Sequence, residues 1–99
     1  MSHPVLIHHF VCLATARPTH LLPIREQPDL EARMIWALTA ADAIAQAELE
    51  LRLHPPLRLV GVEPFDADAH VALFLSRNRT ASGWSSGAED LGRIPYKPT

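Results

Sequence analysis

The stretch Val5 to Ala16 reads VLIHHFVCLATA and constrains the fold more than any other part of the chain. It is rich in β-branched and aromatic residues and apolar at alternate positions on both sides, which suits a strand covered on both faces. Whatever else the chain forms must therefore supply two covering layers. The next segment, Arg17 to Asp29, carries Pro18, Pro23 and Pro28, and proline at that density removes ladder donors and favours turns, so a loop is expected.

Glu31 to Leu38 alternates Ala32, Met34, Trp36 and Leu38 with Glu31, Arg33, Ile35 and Ala37, and we read it as a second strand. A competing reading runs one helix from Asp29 to Leu53, because Leu30, Met34, Leu38, Ala41 and Ala45 also recur at helical spacing. On the preferred reading Thr39 caps a helix that begins at Ala40, accepting from the Asp42 amide while the Asp42 carboxylate faces the positive helix end. The segment AADAIAQAELELRL is made of strong helix formers, with Ala40, Ala43, Ile44, Ala47 and Leu51 on one stripe for the sheet. Leu49 and Leu53 fall on the opposite side and call for a covering loop or another chain. Pro55 and Pro56 end the helix.

Leu57 to Pro64 and Ala69 to Ser76 have strand composition and are joined by Phe65-Asp66-Ala67-Asp68, which reads as a hairpin connection. Beyond Ser76 the apolar periodicity stops. The expected architecture is an α+β domain over residues 1–76: an antiparallel sheet of about four strands with one main helix on one face, in the order β-β-α-β-β. An irregular tail, 77–99, packs on it or extends from it. One helix leaves the second sheet face open, so the tail or a second copy of the chain must cover it, and homodimerisation is the leading expectation.

Composition narrows the function classes. A chain of 99 residues is one domain, which hides only about 60 to 65 % of its unfolded surface. With 47 % hydrophobic and 20 % charged residues, folding and not disorder is expected. The single cysteine, Cys12, gives no disulfide framework, and the first apolar run is broken by His8 and His9 before it could serve as a signal core, so cytoplasm is the default. No segment reaches the roughly 20 apolar residues of a membrane span, and no membrane partner is expected. A net charge of −2 gives no bulk attraction for nucleic acid. Eight of the nine basic residues are Arg, a composition associated with GC-rich bacterial genomes.

The chemical constellations are each matched by a plainer explanation. Gly83-Trp84-Ser85-Ser86-Gly87 fits G-x-S-x-G, but no histidine follows Ser85 to act as base, and a Ser/Gly turn accounts for it. His8 and His9 point to opposite faces of a strand and cannot both bind one metal without a bulge, and one of them with His70 would need neighbouring strands and leave zinc short of a third and fourth ligand. Asp66, Asp68, Glu63, Glu89 and Asp90 lack the spacing of a calcium loop. Cys12 reads as an inert buried thiol. No metal and no cofactor are expected.

The candidate binding residues are Arg77, Arg79 and Trp84, a basic group beside an aromatic, and His8, His9 and Trp36, with Met34, around a pocket between sheet and helix. Three functions follow. The first is a non-enzymatic interaction or accessory module that homodimerises. The second is a small dimeric enzyme or ligand-binding protein using the histidine-lined pocket. The third is a weak nucleic-acid binder through Arg77, Arg79 and Trp84.

Overall fold

The computed structural model describes residues 7–75 and 83–86. His8–Thr15 (β1), Glu31–Ala37 (β2), Ala40–Leu51 (α1), Arg58–Pro64 (β3) and Ala67–Leu75 (α2) follow in chain order, with a single 3-10 turn at Ile24–Glu26 between the first two strands. Among the described residues the sheet has three strands in the order β2-β1-β3, and both neighbours run antiparallel to β1. The doubly apolar segment is thus the central strand. Its side chains alternate between two cores, as a period of two requires. Phe10, Cys12 and Ala14 meet Ile35 and the α1 residues Ala43, Ala47 and Leu51. Val11 and Leu13 meet Leu30, Ala32, Met34 and Phe74 of α2.

The four-strand, β-β-α-β-β expectation is corrected here. Residues 67–75 form α2, not a strand, so no hairpin follows β3. The reason is local. Asp66 caps the segment: its Oδ1 accepts from the Asp68 amide at 3.1 Å, and its carbonyl accepts from the amides of Ala69 and His70. Asp68 then sits in the first turn, where the helix dipole favours an anion. Ala67, Ala69, Ala72 and Leu73 are good helix formers, and His70 and Phe74, one turn apart, are the fully buried pair. The alternation that read as a strand came from the apolar residues between them. With α2 in place, helices lie on both faces of the sheet, which removes the argument that one face stands open.

The second strand and its capped helix form as expected. Residues 31–37 pair with β1 from His8↔Ala37 to Ala14↔Glu31, and the Thr39 hydroxyl accepts from the Asp42 amide at 3.1 Å. Ala43, Ala47 and Leu51 are buried along the α1 stripe, as helical spacing dictates. The proline-bearing loop folds around one side chain. Buried Gln27 donates to the carbonyls of Thr19 and Leu22 at 2.6 and 2.9 Å and accepts from the Thr19 amide at 2.8 Å. Thr15 closes the same loop by donating to the Pro28 carbonyl. Among the described residues no helix is long and apolar enough to cross a membrane.

Candidate functional site

Three places gather chemistry. The first is the end of the sheet where β1 begins and β3 finishes. A cavity of about 430 Å³ there is lined by Ile7, His8, His9, Phe10, Pro64 and Phe65. The Phe65 amide donates to the His9 carbonyl at 2.7 Å and holds the two walls together. His8 and His9 diverge as strand neighbours must: His8 is exposed and meets Phe10 edge-on, with ring centres 6.3 Å apart. His9 lies edge-on to Trp36, its partner across the ladder, at 4.6 Å. The His9 Nε2 atom is buried with no hydrogen-bond partner among the described residues. Trp36 is half-exposed, and Met34 belongs to the α2-side core and not to a pocket with these histidines.

The second place is a polar cluster around the buried His70 that sequence reasoning missed, because it placed His70 on a strand; its partners Glu63 and Arg25 are about one-third exposed. His70 lies inside the junction of β3 and α2, and its Nε2 is 2.8 Å from Glu63 Oε1. Arg25 Nη2 donates to the same oxygen at 2.9 Å. The other ring nitrogen, Nδ1, is 2.9 Å from the Asp66 amide nitrogen and 3.0 Å from the Asp66 carbonyl, so both ring nitrogens are engaged. Phe65 stacks on the ring, with centres 5.8 Å apart. Burial alone would push the Glu63 carboxyl up. The hydrogen bonds from His70 and Arg25, with their charges, outweigh it and hold the group below its ordinary value. A histidine and a carboxylate in contact are the parts of a general base, but a ring only 2 % exposed has no nitrogen free for a substrate. The cluster joins α2 to the sheet. Only the spacing Glu63-(six residues)-His70 hinted at it, and that spacing carries no signal until the element type is known.

The third place is the seat of Trp84. This side chain is 1 % exposed and packs with Phe10, Cys12, Ile35 and the α1 stripe. Its indole N–H donates to Glu50 Oε1 at 3.2 Å, and its carbonyl accepts from Arg33 Nη1 at 3.0 Å. Arg33 Nε closes the loop with Glu50 Oε1 at 2.7 Å. Beside it, Ser85 Oγ donates to Glu31 Oε1 at 2.8 Å. The Ser86 amide donates to the Ala32 carbonyl at 2.9 Å, while its hydroxyl accepts from the Met34 amide at 2.8 Å. Ser86 thus bonds the outer edge of β2 at Ala32 and Met34. Below them the Cys12 thiol is pushed up to about 12 by burial and by the Glu50 charge, so it stays protonated and a poor nucleophile.

Of the candidate binding residues, His9 and Trp36 come together, His8 and His9 line the cavity while Trp36 does not, and Trp84 stands apart from all three. Arg77 and Arg79 lie outside the described residues. A ring buried as deeply as Trp84 has no face to offer a base. Among the described residues no three of His, Cys, Asp or Glu converge to hold a metal ion. Comparison with protein-family models, with curated proteins and with solved structures finds no match to this chain.

Proposed function

We propose that the chain is a non-enzymatic interaction module that self-associates as a homodimer through the outward side of α1. The observation that carries this reading is the exposure of Leu49 on α1 and of Leu53 in the turn just after it, 61 % and 81 %. Leaving a leucine in water forgoes about 1.5 to 3 kcal/mol per side chain, a cost that a contact with a second chain recovers. The chemistry in the described residues supports it from the other side. Ser85 faces a carboxylate without a histidine, and His70, Cys12 and Trp84 are all enclosed. Light scattering from about 1 to 200 μM should give the mass of two chains at the upper end, and Leu49→Glu or Leu53→Glu should return it to one. A mass of one chain across that range would sink the reading.

One observation favours a second reading, small-molecule binding at the end of the sheet. The cavity beside His8 and His9, at about 430 Å³, falls in the range of ligand pockets and mixes aromatic walls with polar groups. Chemical-shift changes confined to His8, His9 and Phe65 in a fragment screen would raise it above the first.

A further inference from the structure

The cavity at the end of the sheet is lined by a run of consecutive residues, Ile7, His8, His9 and Phe10, together with Pro64 and Phe65. Successive side chains of a strand point to opposite faces, so a cavity that touches a whole run lies along the strand's edge and not on either face. The space is a notch beside β1. It opens where β3 stops at Pro64, opposite Phe10, and the chain turns off into α2. The last bond across the gap runs from the Phe65 amide to the His9 carbonyl, so the main chain of His9 faces the notch. By the strand's period of two, the N–H and C=O of Ile7 face it as well. Ile7 makes no hydrogen bond among the described residues and is 54 % exposed. We propose that the notch binds an extended peptide segment, which takes the place beside β1 that β3 leaves free and exchanges main-chain hydrogen bonds with Ile7. The proposal rests on the reading of this cavity as a binding site, and names the main-chain amide as the group recognised.

Two features of the lining select this occupant. The first is the pair of unused main-chain groups. In an antiparallel ladder a residue placed as Ile7 is offers one donor and one acceptor to the same partner residue, and an extended main chain presents both complementary groups at matching spacing. Strand edges open to such pairing are commonly blunted by proline or by charge. Pro64 ends β3 in that way, whereas Ile7, His8 and His9 carry no such device. The second feature is the character of the walls. Among the described residues the lining holds no Asp, Glu, Lys or Arg, only an isoleucine, a proline, two imidazoles and two phenyl rings. Side chains of the occupant fall alternately beside Ile7 and Phe65 on the α2 face and beside His8 and Phe10 on the α1 face. Apolar residues at successive positions are favoured, and a charged one loses hydration without gaining a partner. A space of about 430 Å³ has room for a few residues of such a segment.

The test is an NMR titration of the isotope-labelled full chain with the capped tripeptide acetyl-Val-Val-Val-N-methylamide, read at the Ile7 and Phe65 amides. Saturable shifts at both are expected, with a Kd on the order of millimolar for so short a probe. Methylating the valine amide nitrogens removes the main-chain donors and keeps the side chains, and should weaken binding about tenfold or more. Ile7→Pro removes the donor on the other side. The Ile7 N–H holds no bond within the described fold, so this variant should match the parent by circular dichroism yet bind about tenfold more weakly at Phe65, while Ile7→Val binds as the parent does. Where Ile7→Pro does not fold, the methylated peptide against the parent chain decides. An aspartate in place of the central valine should also weaken binding, and equal binding overturns the apolar assignment. Equal binding of the methylated and unmethylated peptides leaves the cavity a ligand site but overturns main-chain recognition. No shift with any probe overturns both this inference and the reading it rests on. Shifts at Ile7 that follow protein concentration with no peptide added make a second copy the occupant, and overturn a separate peptide.

Discussion

The two faces of the sheet are covered by different means. On one face α1 presents small residues, Ala43 and Ala47, that let the helix come close, and the layer is completed by Leu51, Leu57 and Trp84. Its charged groups, Arg33 and Glu50, lie at the margin and tie in residues 83–86. On the other face α2 contributes Phe74 to the core and is joined to β3 by His70 and Glu63 with Arg25. The first face is a continuous apolar stripe with a polar clasp at its edge. The second is a short helix held by Phe74 and by a part-buried polar contact between His70 and Glu63, and it is the more sensitive to single changes and to pH.

The largest expected effect separates apolar from polar attachment. Phe74 is 1 % exposed, and Phe74→Ala should cost about 3 to 5 kcal/mol, enough to release α2 in a domain of this size. Native-state hydrogen exchange checks it: protection lost in 67–75 while 40–51 is retained would sharpen the contrast, and uniform loss would break it. His70→Ala should cost about 1 to 3 kcal/mol, since it strips a buried hydrogen-bonded ring from between Glu63 and Asp66.

The same cluster gives this face a pH dependence. Because the Glu63 carboxyl is held below its ordinary value in the folded chain, its contribution is complete above the unfolded value of about 4.3 and is lost as pH falls through the lower folded value. Urea midpoints between about pH 2.5 and 6 should therefore fall on the acid side less steeply for Glu63→Gln than for the parent chain. Parallel curves would remove Glu63 from the account. Smallest of the set, Thr39→Ala deletes the cap of α1 and should cost about 1 kcal/mol, spread over a helix that its apolar stripe holds in place. A loss above about 2 kcal/mol by urea denaturation would mean that α1 depends on its start more than on its packing.

What could be read in advance follows a physical divide. Elements whose residues carry their own instructions were legible: the doubly apolar β1, the capped start of α1 at Thr39, and the divergence of His8 and His9. In Ala69 to Ser76 alternation and helical spacing coincided over too few residues to separate, and the deciding feature, Asp66 as a cap, also suits a hairpin turn. The site residues divided in the same way. Trp84 was recognisable as an aromatic of consequence, but nothing near it in sequence says that its partners are Arg33 and Glu50.

The amino-acid sequence by itself determined that β1 must be covered on both faces and that Leu49 and Leu53 stand away from the α1 stripe. Those are properties of local periodicity, and periodicity is a short-range quantity. The tertiary structure alone decided that α2 supplies the second layer, that His70 reaches Glu63 across the turn between β3 and α2, and that Ser86 closes the outer edge of β2. Each depends on which segments meet across the fold, and an ion pair or edge contact between residues far apart in the chain leaves no periodic mark on either.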